Sequence, residues 1–245
     1  MSDLPGLILA CIRDFANTRP RSLQKEVGPS QLGNPCDHCL AAALAGWEKV
    51  EEQTPWLPLI GTAVHELLLT PEVFPHALLE HRVTVGQVGG VDVEGNADLF
   101  HVASGTVVDL KVVGATTLNE ARRHGSKEQY KAQINLYARG LALQGHRVAQ
   151  TCIAYLPRNS MRLSDAFFDI RPVDHPLALS VLERANRLAA ACEQMERISV
   201  KARDVYIDSL PRAAGCYDCA RYPSIVPRAS ELQEYATIHG NGSGA

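Results

Sequence analysis

The stretch Val91-Asp-Val-Glu-Gly-Asn-Ala-Asp-Leu-Phe-His-Val-Ala-Ser-Gly-Thr-Val-Val-Asp-Leu-Lys-Val-Val113 decides the fold. Val107–Val113 is rich in β-branched residues, and His101-Val-Ala-Ser-Gly105 supplies turn formers, so the pattern predicts two strands around a tight turn. Side chains alternate faces along a strand. Asp109 and Lys111 therefore share one face, while Val108, Leu110 and Val112 share the other. A turn centred between Ala103 and Ser104 sets an antiparallel register with Asp98 opposite Asp109. Two carboxylates held that close repel unless a cation lies between them. A divalent metal with Lys111 beside it resolves the conflict. The bland alternative is a pair of solvent-facing acids and a surface lysine, since D-x-K alone is a common triplet.

Working outward, the polar stretch Thr18–Lys25 follows a short helix expected over residues 5–17. Ser30 is a candidate N-cap for a brief helical turn, and a helix is expected over Leu40–Val50. A second helix over Leu59–Leu69 carries Gly61-Thr-Ala-Val-His65. The His65 face is apolar with a gap at Gly61, so this residue is either a core histidine or a neutral imidazole ligand. Residues 79–88 read as an edge strand. On the other side of the hairpin, Ala115–Ser126 reads as a polar region and Lys127–Gln144 as a long helix ended by Gly145. Gln133 and Tyr137, four apart, share a face of that helix. Strands are expected at 147–157 and 165–171, and a further helix over 175–198. Tyr137, Tyr155 and Tyr217 are candidates for stacking against bases.

A chain of 245 residues that is 46% hydrophobic can bury a full core. The net charge of −3 excludes a protein that coats nucleic acid by charge alone, so any such contact needs a local basic groove. No apolar run reaches the length a membrane helix needs; Leu7–Ile12 is too short, and Asp3 precedes it where a signal peptide would be basic. Of seven cysteines, four fall in two C-x-x-C pairs, Cys36/Cys39 and Cys216/Cys219. That spacing favours metal ligation in a reducing compartment, and hence a cytoplasmic location, over a disulfide framework. Cys11, Cys152 and Cys192 stand alone in apolar settings and are expected in the core. Four thiolates suit a [4Fe-4S] cluster or tetrahedral Zn²⁺ equally, and His38 could replace a thiolate.

The series G-T-A-V-H65, G-N-A-D98, V-D109-L-K111 and Q133-I-N-L-Y137, in this order, resembles the motifs of RecB-like nucleases of the PD-(D/E)XK superfamily. The direct resemblance covers about residues 58–158. The cysteines extend it toward the iron–sulfur branch, typified by CRISPR-associated and phage RecB-like exonucleases. That branch commonly places one cysteine before the core and three after it, whereas this chain has two and two.

The resemblance implies an α/β fold with a mixed central sheet flanked by helices, and a small Cys-ligated lobe formed by both chain ends. It implies one nuclease domain over 1–245, with the core at about 58–198, the lobe at about 20–57 with 199–228, and a flexible tail at 240–245. His65, Asp98, Asp109 and the Leu110 carbonyl resemble the ligands of Mg²⁺ or Mn²⁺. Lys111 resembles the catalytic lysine, and Gln133 and Tyr137 the helix-borne residues lining the site. Cys36, Cys39, Cys216 and Cys219 resemble the cluster ligands, with [4Fe-4S] favoured by the resemblance and Zn²⁺ as the alternative. The activity implied is metal-dependent hydrolysis of DNA, as an exonuclease on single-stranded ends. Rival readings are a non-catalytic nucleic-acid-binding adaptor and a structure-specific endonuclease on the same core.

Overall fold

The computed structural model describes residues 4–18, 27–50 and 56–225. The expected tail at 240–245, and parts of the expected lobe, lie outside these residues. The chain divides into two compact units, one comprising Met1–Pro35 with Glu51–Arg187, the other Cys36–Val50 with Leu188–Ala245.

The first unit is built on a mixed five-stranded sheet whose spatial order follows the sequence: β1 (Ala77–Val88), β2 (Val91–His101), β3 (Thr106–Val113), β4 (Gln150–Pro157) and β5 (Phe167–Pro172). The first three strands form an antiparallel meander, β3 and β4 are parallel, and β5 returns antiparallel. The turn between β2 and β3 occupies Val102–Gly105, with the Gly105 amide donating to the Val102 carbonyl at 3.2 Å. Gly105 takes φ +65°, and a Cβ there would lie 2.6 Å from the Arg147 carbonyl oxygen, so only glycine fits. Leu99 pairs with Val108, and continuing that register by one residue brings Asp98 opposite Asp109.

A parallel pair needs a crossover, and α5 (Ala115–His124) and α6 (Glu128–Leu143) supply it. The helix α5 occupies what the sequence suggested was a polar region. Its polarity is that of one exposed face: Leu118 and Ala121, three apart, are buried, while Arg122, Arg123 and His124 fall in the last turn, where cations suit the helix dipole. The helix α6 presents buried Ile134, Leu136, Ala138 and Leu141. Its Gly140 lets it approach β1 closely, since a Cβ would sit 2.8 Å from Val83 Cβ. The opposite face of the sheet carries Leu99, Leu110, Cys152 and Ala154, packed with Leu69, Phe74 and Val108. Strand alternation thus separates Leu110, turned into this apolar layer, from Asp109 and Lys111, turned toward α6.

The first unit also holds α1 (Leu4–Thr18), α2 (Pro29–Leu32) and α4 (Trp56–Leu68). Ser30 does not cap α2. Gly28 occupies the N-cap, with its amide donating to the Gln31 side chain at 2.9 Å, and Pro29 fills N1. Cys11 is exposed, contrary to its apolar surroundings in sequence, because Ala16 is the buried residue of α1; Cys152 and Cys192 are buried as expected.

The helix α7 (His175–Ile198) runs from the first unit into the second. There α3 (Asp37–Leu44) is shorter than the helix expected to reach Val50, for the chain turns at Gly46 with φ +72°. Trp47 then donates from Nε1 to Asp204 at 3.0 Å, and the Val50 amide to the Arg221 carbonyl at 2.9 Å. The helix α8 (Val200–Ser209), not anticipated from the sequence, starts on a Ser199 hydroxyl that accepts from the Ala202 amide at 3.0 Å.

Candidate metal centre and catalytic face

In the first unit, α4, β1, β2, β3 and α6 converge on one cluster of polar side chains. Asp98 is buried on β2, and its Oδ2 accepts the Leu110 amide at 2.7 Å. His65, from α4, donates from Nε2 to the Leu110 carbonyl oxygen at 3.0 Å. A carbonyl only accepts, so His65 carries its proton on Nε2. That fixes the tautomer and presents the Nδ1 lone pair 3.7 Å from Asp98 and 3.9 Å from Glu80. The Leu110 carbonyl, expected as a metal ligand, is thereby engaged by His65.

Glu80 was not singled out in the sequence. It sits on β1 between Leu79 and His81, which pair with Leu99 and Ala97, and so stands opposite Asp98. Its φ of +44° makes it the one non-glycine residue with positive φ among those described. Such a conformation costs on the order of 1 kcal/mol and persists where surroundings over-determine it. No local sequence signal marks a glutamate of this kind; the register with Asp98 is what identifies it. His65, Glu80 and Asp98 offer ligand atoms that all lie within 4.8 Å of one another.

Asp109 is 1% exposed, with Lys111 Nζ 2.7 Å from its Oδ2. Its Oδ1 has no hydrogen-bond partner among the described residues. A buried carboxylate oxygen left open in this way is suited to a cation. Burial, and then the charge of Asp109, pushes the Asp98 carboxyl up to about 8, against the opposing pull of Lys111 and the Leu110 amide. A divalent ion bound by oxygen and imidazole ligands fits the donor set.

Lys111 is held from three sides. Besides Asp109, it donates to Gln133 Oε1 at 3.2 Å and lies 4.9 Å from the centre of the Tyr130 ring. Burial works against its charge, but Asp109 outweighs it, through charge and hydrogen bonding, and keeps the ammonium above the ordinary lysine value. Tyr130 was also missed, although it lies one turn before Gln133 on α6 and so shares its face. Tyr137 takes a different place. It is buried, with its ring edge against Gly95, where a Cβ would lie 3.1 Å from Tyr137 Cε1. Neither Tyr137 nor Tyr155, which is 1% exposed, can stack with a base; Tyr217, in the second unit, is exposed. Tyr155 instead lines a cavity of about 280 Å³ with Ser126, Lys127 and Lys131, close to Tyr130.

In the second unit, the four cysteines come together. Cys36 and Cys39 begin α3, and Cys216 and Cys219 bracket a single 3₁₀ turn at Tyr217–Ala220. Cys36 Sγ lies 3.6 Å from Cys219 Sγ, and Cys39 Sγ lies 3.7 Å from Cys216 and 3.5 Å from Cys219.

The mixed five-stranded sheet flanked by helices is a fold that solved exonucleases share. The chain is similar to the crystal structure of an alkaline exonuclease (LHK-Exo) from Laribacter hongkongensis in complex with dAMP, with TM-score 0.50 and 13% identity, covering 74% of this chain and 95% of that one. Without dAMP, the values for that enzyme are 0.49 and 12%, over 72% and 94%. No family model and no curated protein sequence matches the chain significantly. Among the described residues, no helix is long and apolar enough to cross a membrane.

Proposed function

We propose that the chain is a metal-dependent deoxyribonuclease that hydrolyses phosphodiester bonds, working as an exonuclease from single-stranded DNA ends. One observation carries the metal-dependent hydrolysis: His65, Glu80 and Asp98 converge within 4.8 Å beside the buried Asp109–Lys111 pair. A non-catalytic adaptor would have no reason to hold three acids together at the cost of raising a carboxyl's pKa, next to a buried lysine.

His65, Glu80, Asp98 and the open Oδ1 of Asp109 would hold Mg²⁺ or Mn²⁺. Such an ion would neutralise the phosphate's charge and lower the pKa of bound water. The protein's own residues then have separable tasks. Asp109 holds Lys111 by charge, Gln133 by a hydrogen bond and Tyr130 by its ring face, so the ammonium points to one place. A fixed cation there stabilises the negative charge that develops on the phosphoryl oxygens as the bond breaks. The Leu110 amide and carbonyl orient Asp98 and His65 respectively, which ties the ligand geometry to the β3 backbone.

The reading is tested with end-labelled linear single strands, linear duplexes and circular single strands, each with Mg²⁺, Mn²⁺ or chelator. Metal-dependent release of nucleotides from linear single strands is expected, with circles intact. Asp109→Ala and Lys111→Ala should reduce the rate at least a thousandfold while the fold, followed by circular dichroism, is retained. Cleavage in chelator, or wild-type rates in either variant, would overturn it. Cutting of circles would instead favour an endonuclease.

A further inference from the structure

From the spacing of their sulfurs, we infer that Cys36, Cys39, Cys216 and Cys219 form a tetrathiolate site for a single zinc ion rather than the ligand set of a [4Fe-4S] cluster. The inference stands independently of the nuclease reading, since all four residues belong to the second unit.

The argument is geometric. A zinc ion with thiolates at about 2.3 Å in a tetrahedron sets neighbouring sulfurs ~3.8 Å apart. Three of the six sulfur separations, 3.5, 3.6 and 3.7 Å, are close to that edge; the ligand atoms of Cys36, His38, Cys39 and Cys219 all lie within 4.8 Å of one another, and Cys216 joins them through Cys39. In a cubane each thiolate caps a different iron atom, so the sulfurs must stand roughly 6 Å apart. To accept the cluster, each of these pairs would have to move apart by more than 2 Å. The backbone around the pairs is tied in place, so any spreading of the sulfurs would have to come from the side chains alone. Cys36 is the N-cap of α3, the His38 amide is tied to the Pro211 carbonyl at 3.3 Å, and the Cys219 amide to the Cys216 carbonyl at 3.4 Å.

The surroundings suit a small dication. Cys36 and Cys39 are fully or nearly fully buried, so thiolates there need a compensating charge. The amides of Cys39 and Ala213 donate to Cys36 Sγ, the kind of support that fixes a ligating thiolate. His38 is buried between the two α3 cysteines, with Nδ1 3.7 Å from Cys39 Sγ and Nε2 3.6 Å from Asp208. Its Nδ1 is placed to donate to the Cys39 thiolate. Soft thiolates in a closed tetrahedron select zinc over the hard ions suited to the acidic cluster. One chain would then carry two metals sorted by ligand chemistry: a soft tetrahedron in one unit, a hard oxygen-rich site in the other.

The test uses the full chain, made in cells supplied with both iron and zinc and with iron–sulfur assembly proteins, and purified without oxygen. Elemental analysis and acid-labile sulfide are measured on the same sample. The expected result is about one zinc per chain, no sulfide and no visible colour. Replacement of zinc by Co²⁺ should give the intense visible bands of tetrahedral thiolate cobalt. Cys36→Ser and Cys216→Ser should each lose the zinc, and His38→Ala should keep it. Brown protein with about four irons and four sulfides would overturn the inference. So would one iron without sulfide, or protein holding neither metal. Zinc kept by Cys216→Ser but lost by His38→Ala would replace the fourth thiolate with an imidazole and overturn the tetrathiolate.

Discussion

Replacing Gln133 by Leu isolates the positioning of Lys111 from its charge. Gln133 is 6% exposed, and its Oε1 accepts from Lys111 Nζ at 3.2 Å. Leucine has a similar volume and is surrounded on α6 by Ile134, Leu136 and Ala138, so the helix packs as before. What disappears is one hydrogen bond from a charged donor, which is worth about 1.5–3 kcal/mol. The Asp109 ion pair at 2.7 Å remains and keeps the ammonium charged, so the loss falls on direction and not on protonation. If that bond is realised fully in the transition state, kcat should drop by roughly ten- to a hundredfold, since about 1.4 kcal/mol corresponds to a factor of ten. KM should change little, because a misdirected lysine affects the transition state more than substrate binding. The assay is nucleotide release from end-labelled single strands in saturating Mn²⁺, with the melting temperature measured in parallel. Gln133→Asn, too short to reach Lys111, should behave like Gln133→Leu. A kcat within about twofold of wild type in both variants, or a loss confined to KM, would refute the role given to Gln133.

Replacing His65 by Ala should raise the Mn²⁺ concentration needed for half-maximal cleavage about tenfold or more; a lower melting temperature with an unchanged metal titration would mark it as a core histidine. Glu80→Gln removes one ligand charge and leaves the strand intact, so Mn²⁺ binding followed by calorimetry should weaken by a similar factor, and unchanged binding would remove Glu80 from the ligand set. Gly140→Ala gains up to about 1 kcal/mol of helix propensity but drives a Cβ to 2.8 Å from Val83 Cβ, and overpacking costs about 1–3 kcal/mol. Its melting temperature should fall by a few degrees, and a rise would show that α6 shifts on β1 without strain.

The hairpin was legible because strand alternation and a glycine-bearing turn leave few ways to arrange Asp98, Asp109 and Lys111. The parallel pairing of β3 with β4 was hidden, since the connection could be read only as a polar stretch and a helix. The helix α5 was hidden because its solvated face, Asn119, Glu120, Arg122 and Arg123, reads as no more than a polar stretch. Glu80 was invisible for a different reason: its place depends on register across strands, and its backbone conformation departs from what a glutamate prefers. Tyr137 and Tyr130 share a helix with Gln133, and sequence spacing alone does not decide which aromatic ring meets the lysine and which is buried under Gly95. The cysteine pairs could be read as one centre, but the choice between zinc and iron rests on sulfur separations that spacing along the chain does not contain.

The order of the two cysteine pairs has a consequence for how the molecule is assembled during synthesis. Cys36 and Cys39 leave the ribosome before any strand of the sheet, and Cys216 and Cys219 only after all five. The meander of β1 to β3 can form once Val113 has emerged, but a centre shared by both cysteine pairs could not close until the last pair is made. Until then, Cys36 and Cys39 are an exposed dithiol on a growing chain, open to oxidation and to stray metal. If the four thiolates hold one ion, stable metal uptake follows the emergence of Cys219. A nascent chain stalled before Cys216 should take up no tightly held metal, even with its sheet complete.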